Sequence, residues 1–280
     1  MTVLTQMETA HAWTLPLDKL KFKSLFQGAT IAIDPSTKRE YLFQAQAKAT
    51  GPKDVEDLYI SRFELTPTGL VYLDTLIGKK FGHIQTLHVR ISALGNPWMW
   101  IGAEQYDTAG KVTGTQAYRV LYRGGRTATL QDKDSIRIHT GKGSVNVISS
   151  PEWKVWLRRA GSSVETYELF DEKTLTNWVS DTERPIPLKT IVVPRNKTTF
   201  QSACGTEDEI LRVNGATENS SILTSSLFPD VEYDFTSAAP PGLRVTSEEP
   251  EAVFIYNGKA YVGKRFNSVK NRVVAYFRMG

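Results

Sequence analysis

One cysteine, Cys204, stands among 280 residues, which excludes an internal disulfide and any zinc site built on several thiolates. The fold must therefore hold by packing. Histidine is almost as scarce, with four in the chain, and neither a metal centre nor a cofactor is expected. No run approaches the ~18 consecutive apolar residues of a membrane helix. The opening MTVLTQMETAHAWTLP lacks the basic-then-apolar order of a signal peptide. The expectation is a chain with neither anchor nor leader. Motifs of covalent catalysis are missing too: there is no G-x-S-x-G, no His-Glu-x-x-His and no glycine-rich phosphate loop, and Cys204 has no histidine near it in sequence. Charge of one sign is also in short supply. Thirty-four Lys and Arg against thirty Asp and Glu give a net charge of +4, a mild excess that favours polyanions without selecting one. The clusters Lys19–Lys23, Lys79–Lys80 and Arg158–Arg159 are too small for a phosphate-tracking stripe, so nucleic acid is not an expected partner.

Helical periodicity is the last thing lacking: outside a short N-terminal piece, no window repeats apolar residues at i, i+3, i+4 and i+7 over three turns. Strand signals fill the chain instead. ATIAID (29–34), YLFQAQ (41–46), LYISRFE (58–64), LVYLDTL (70–76), TLHVRI (86–91) and WMWIGAE (98–104) are short runs rich in β-branched and aromatic residues. Turn formers such as Asp34-Pro35-Ser36, Pro67-Thr68-Gly69 and Gly95-Asn96-Pro97 separate them. With 40% hydrophobic and 23% charged residues the composition is that of a folded domain, and this density of strands makes it all-β.

The strands repeat. Phe26-Gln27-Gly28 and Phe200-Gln201-Ser202 each open a small-residue strand, and Phe81-Gly82-His83, Gly141-Lys142-Gly143 and Glu249-Pro250-Glu251 occupy corresponding places between and after them. Each leads to a strongly apolar second strand: YLFQAQ, WMWIGAE, WKVWLRR, EILRVNG and KAYVGKR. Five units predict a five-bladed β-propeller over residues 23–280. The last unit is one strand short, and residues 1–22 precede the first unit without one of their own. The N-terminal segment is thus expected to supply the closing strand, which removes a sheet edge.

FQGATIAIDPSTKREYLFQAQ, DLYISRFELTPTGLVYLDTLIGKKFGHIQTLHVR and WMWIGAE together resemble a family of five-bladed propellers from receptor-binding and baseplate proteins of phages of Gram-positive hosts. The family also takes in teichoic-acid-associated proteins and helveticin-type bacteriocins. Phe81-Gly82-His83-Ile84-Gln85 matches a Gly-His segment of that family. Glu249-Pro250-Glu251-Ala252 matches a late Glu-Pro-Glu-Gly motif, with Ala252 where glycine is usual. The resemblance implies a virion protein at the tail tip, made in the host cytoplasm. It implies recognition of a cell-wall polysaccharide or teichoic acid, and association with other tail proteins as a homotrimer or other multimeric display. The alternatives are a propeller glycoside hydrolase and a purely architectural virion protein.

Several side chains are candidates for ligand contact. His83 follows Gly82 at a unit start, where an inner strand faces the channel, and Gln85 follows it. His83 and His88 fall on opposite faces of a strand and do not pair as ligands. Trp98 and Trp100, two residues apart, share a face; Trp153 and Trp156, three apart, do not. Trp153, Trp156 and Trp178 lie near polar loops, where flat aromatic faces stack on sugar rings. Glu251, held beside Glu249 by the intervening proline, is a further candidate, although hydrolysis needs two carboxylates flanking the bond at ~5–10 Å and sequence neighbours are not such a pair. Asp34 reads as a turn residue. Binding without catalysis is the expectation.

Overall fold

A computed structural model describes residues 3–6, 9–15, 25–50, 55–138, 144–151, 153–178, 184–195, 199–216, 220–227, 231–234, 245–268 and 272–279. Gly141-Lys142-Gly143, His139, the Lys19–Lys23 cluster and part of the 1–22 segment lie outside these residues. The chain is all-β. Five sheets follow one another, each led by an innermost strand and continued by antiparallel neighbours. The first contains β3 (Leu25–Ile33), β4 (Glu40–Ala49), β5 (Glu56–Thr66) and β6 (Gly69–Gly78). The second contains β7 (Leu87–Ile91), β8 (Pro97–Tyr106), β9 (Val112–Leu121) and β11 (Ser135–Arg137). The third has β12 (Asn146–Ile148), β13 (Lys154–Ala160), β14 (Val164–Asp171) and β15 (Lys189–Pro194). The fourth has β16 (Phe200–Gly205), β17 (Ile210–Ala216), β18 (Ser220–Ser225) and β19 (Val231–Asp234). The fifth has β20 (Val245–Tyr256), β21 (Lys259–Ser268) and β22 (Arg272–Met279).

Second strands are buried on both faces, which is why they read as continuous apolar runs rather than as alternation. In β4, Phe43 and Ala45 pack into a cluster with Leu87, Val89 and Met99 of the second sheet. Leu42, on the opposite face, packs with Phe254, Tyr261 and Tyr276 of the fifth. Trp100 joins Val147, Val155 and Phe170 between second and third sheets, and Trp156 joins Phe200 and Ala203 between third and fourth. Cys204 and Val213 meet Val253 and Val262 between fourth and fifth. The apolar layers thus lead from sheet to sheet and back to the first, in a propeller-like ring. Inner strands are stitched as well: Thr86 Oγ1 donates to the Val147 carbonyl, Thr30 and Ser149 hydroxyls meet at 3.3 Å, and Val253 N–H donates to Ser202 Oγ at 3.1 Å.

The N-terminus straddles two sheets. β1 (Val3–Gln6) runs parallel to β19 on the fourth sheet, while β2 (Thr9–Thr14) runs antiparallel to β22 and gives the fifth sheet its fourth strand. The same crossing recurs among the described residues. After β9, strand β10 (Thr127–Ala128) pairs parallel with β6 of the preceding sheet, and β11 then pairs antiparallel with β9. Residues 3–14 therefore occupy for the fifth sheet the place that 127–137 occupy for the second. The indole of Trp13 on β2 stacks on Tyr261 at 5.1 Å and meets Tyr276 edge-on at 6.5 Å. Trp13→Ala is expected to cost roughly 2–3 kcal/mol, the low end of large aromatic truncations because the ring is only half-buried. Chemical denaturation measures it.

Two details depart from the sequence expectations. SACGTEDEILRV is a hairpin, β16 turning into β17, closed by Thr206 N–H donating to the Glu209 carbonyl at 2.9 Å. A helix, α1 (Glu172–Thr176), follows β14, its N-terminus capped by Asp171 Oδ1 accepting from Lys173 and Thr174 N–H. A five-residue helix is too short to show a period. No helix among the described residues is long and apolar enough to cross a membrane.

Candidate functional site

Three unit-opening motifs share one backbone event. Gly28 pairs with Ala45 and Phe26 with Gln46, which leaves Gln27 as an extra residue. Ser202 pairs with Val213 and Phe200 with Asn214, leaving Gln201; Ala252 pairs with Gly263 and Pro250 with Lys264, leaving Glu251. Each is a β-bulge, which re-aims the inserted side chain. Gln85 holds the corresponding place in the second sheet, six residues before Ile91 as Gln27 stands six before Ile33. Gln27, Gln85, Gln201 and Glu251 thus mark one end of the ring, here the bulge end, and Gln27, Gln201 and Glu251 are buried there. Gln85 Nε2 donates to the Phe200 carbonyl at 2.9 Å, reaching from the second sheet past the third to the fourth.

A cavity of about 610 Å³ opens at this end, lined by Gln85, Arg158, Ser162, Ser163, Glu165, Arg195, Thr199, Phe200 and Asn214. Arg158 stacks on Phe200 with its guanidinium carbon 3.6 Å from the ring centre and pairs with Glu165. Arg195 Nη1 donates to the Gly161 carbonyl at 3.0 Å. Arg212 lies 3.6 Å from Glu165, so two guanidiniums, those of Arg158 and Arg212, face one carboxylate. Burial alone would raise Glu165; Arg158, Tyr167 and Arg212 outweigh it and hold the acid below the usual carboxylate range. Two buried donors, Arg158 Nε and Asn214 Nδ2, have no hydrogen-bond partner among the described residues. A donor-rich wall of this kind suits an anion.

The carboxylates of Glu249 and Glu251 both face Arg265. Arg265 pairs with Glu249 and lies 3.4 Å from Glu251, and Gln201 Nε2 donates to Glu249 Oε1 at 3.0 Å. Burial first, then the Glu249 charge, push Glu251 up to about 9 against the pull of Arg265. Asp34 lies far away at the hairpin end of β3. Seven residues from Gln27, it is roughly 23 Å off along an extended strand. Its carboxylate accepts from the Ser36 hydroxyl and N–H at 2.7 and 2.8 Å, which lower it to about 2. That is the turn role read from the sequence.

The remaining candidates separate. His83 is on no strand: its Nδ1 lies 3.2 Å from Glu56 Oε2, in the segment before β7. Trp100 and Trp156 are fully buried between sheets, with Trp156 Nε1 donating to the Thr206 carbonyl at 2.7 Å. Trp178, expected near the surface, is buried in the layer between second and third sheets. Trp98 is half-buried under the Arg119 guanidinium, 4.0 Å from its ring centre. Only Trp153 is largely open, at 55% exposure, and it lies at the hairpin end rather than with Gln85 and Glu251. Sequence reasoning missed Arg158, Arg195 and Asn214 as a group, since they lie on two different sheets and the connection between them. The signal available was the polar residues set in apolar second strands, Arg158 and Arg159 in one and Arg212 and Asn214 in the other. Among the described residues no group of three or more His, Cys, Asp or Glu is placed to hold a metal ion.

No family model matches the sequence, and no curated protein matches it significantly. Solved structures do. The tail fibre of Staphylococcus aureus phage P68 superposes with a TM-score of 0.72 at 16% identity, over 98% of this chain and 52% of the fibre. A GH43_1 enzyme from Xanthomonas citri, complexed with xylotriose, superposes with a TM-score of 0.52 at 8% identity, over 98% of this chain and 90% of the enzyme. The chain spans about half the length of the tail fibre. At these identities what is shared is the fold, an all-β propeller-like ring found in both a phage fibre and a glycoside hydrolase.

Proposed function

We propose that this chain is the receptor-binding propeller of a phage tail tip, its five sheets serving as five blades, and that it binds a host cell-wall glycopolymer without cleaving it. The carrying observation is the bulge-end cavity, whose wall offers Arg158, Arg195 and the amide of Asn214, unpartnered among the described residues. A polyol-phosphate repeat of the teichoic-acid type matches that wall: guanidinium forks take phosphate oxygens, while Gln85, Ser162, Ser163 and Thr199 take hydroxyls. The match to the phage P68 fibre supports a tail component. Single-site affinity is modest, and display as a homotrimer or larger array supplies the rest through effective concentration. Residues 1–22 both close the ring and lead to the remainder of the tail.

The hydrolase reading draws on the GH43_1 superposition and on the raised Glu251 beside Glu249. Against it, Arg265 occupies both carboxylates and Gln201 holds Glu249, which leaves no free pair to flank a scissile bond. Retention of purified teichoic acid and intact Gram-positive walls tests the proposal. The chain should retain both, Arg195→Ala should weaken binding roughly tenfold, equivalent to about 1.4 kcal/mol, and higher salt should weaken it further. No reducing ends should appear. Absence of retention with an intact fold, or release of soluble sugar, contradicts it.

A further inference from the structure

The opposite end of the ring carries a second cavity, of about 400 Å³, walled by Thr30, His88, Arg90, Ser149, Trp153 and Ile255 among others, and within the ~300–1,000 Å³ of small-ligand pockets. We propose that it binds a neutral pyranose ring stacked on the open face of Trp153. The proposal stands apart from the wall-polymer reading, since it uses none of the bulge-end residues.

Trp153 is built for display. Its backbone is left-handed, with φ 63°, a conformation that is strained for a bulky residue and persists where the surroundings impose it. The imposing contacts are visible: the Trp153 carbonyl accepts from Glu172 N–H at 3.0 Å, and Lys154 N–H donates to the Pro151 carbonyl at 3.3 Å. Were packing the purpose, the indole would be covered, yet it is 55% exposed. One face is backed by Arg90, whose guanidinium carbon lies 3.5 Å from the ring centre. Arg90 in turn pairs with Glu172, which lies 3.7 Å from Arg119, itself stacked on Trp98. The platform is therefore braced: Arg90 and Arg119 share Glu172 and each backs an indole, while the other face of Trp153 is left for the flat C–H face of a ring.

The polar wall fits hydroxyl groups. Thr30 and Ser149 hydroxyls meet each other at 3.3 Å. His88 Nδ1 accepts from Ser150 N–H at 3.3 Å, so the neutral imidazole carries its proton on Nε2. Burial, then Arg90, lower His88 to about 4, so this arrangement holds throughout the neutral range. Ile31, Ile33 and Ile255 give the cavity an apolar side, complementary to the C–H face of a pyranose.

The test uses the full chain with D-glucose, D-galactose and N-acetyl-D-glucosamine, read by saturation-transfer NMR and tryptophan fluorescence. At least one sugar should bind saturably with a dissociation constant on the order of 1 mM and slow oxidation of Trp153 by N-bromosuccinimide. Trp153→Gly removes the platform while accepting the left-handed backbone, and should weaken binding by about tenfold or more. Arg195→Ala should leave sugar binding unchanged. Failure of all three sugars, equal binding by Trp153→Gly, no protection of Trp153, or loss of binding in Arg195→Ala each overturns the proposal.

Discussion

Trp156→Ala should cost about 3–5 kcal/mol, the range for removing a fully buried large aromatic and leaving its cavity, while Trp153→Gly should leave the stability unchanged or slightly raised. The two residues stand three apart on one hairpin and have opposite fates. Trp156 has no exposed surface, lies among Tyr167, Phe200 and Ile210, and donates its indole N–H to the Thr206 carbonyl at 2.7 Å. Truncation removes the apolar contact between third and fourth sheets and orphans that carbonyl. Trp153 gives up no core contact, and glycine relieves its backbone strain. Urea denaturation of both variants measures the contrast. Comparable losses in the two would mean that Trp153 is part of the packing rather than a displayed surface.

The second large effect concerns the acid pair under Arg265. Arg265→Met should destabilise by about 3–5 kcal/mol, the usual cost of stripping the partner from buried charge, and more strongly above neutrality than in acid. Glu251 is raised from 4.5 to about 9 in the folded chain, so the native state keeps a proton that the unfolded chain releases. Its contribution is complete below about 4.5 and is lost as pH rises toward about 9, with a slope of at most about 1.4 kcal/mol per pH unit for one proton. Glu251→Gln should flatten this limb. His88 works in the other direction: lowered from 6.5 to about 4, it lets the unfolded chain take up a proton first, so stability falls as the solution is acidified through that interval. Thermal midpoints across pH for the wild-type chain and Glu251→Gln measure both limbs. A midpoint that does not fall between neutrality and pH 9 would show that Glu251 is ionised in the fold.

Much of the architecture was legible because second strands buried on both faces leave unmistakable apolar runs. YLFQAQ, WMWIGAE, WKVWLRR, EILRVNG and KAYVGKR all fall on β4, β8, β13, β17 and β21. The need for a closing N-terminal strand followed from counting strands in the last unit. Its parallel companion β1 did not, because a four-residue parallel edge carries no pattern of its own. Gln27, Gln201 and Glu251 were visible as repeated motifs, but their shared bulge was not, since a bulge is a property of pairing rather than of one strand. Tryptophan roles were the least readable. A propeller packs its sheets with the same residue type that it would display to a sugar, and only φ and exposure separate Trp153 from Trp100, Trp156 and Trp178.

An experimental structure of the chain with a purified polyol-phosphate oligomer tests the functional account most directly. Phosphate density against Arg158, Arg195 and Asn214, with the polymer uncut, is the predicted result. An oligomer lying elsewhere on the ring, or cleaved beside Glu251, would contradict it.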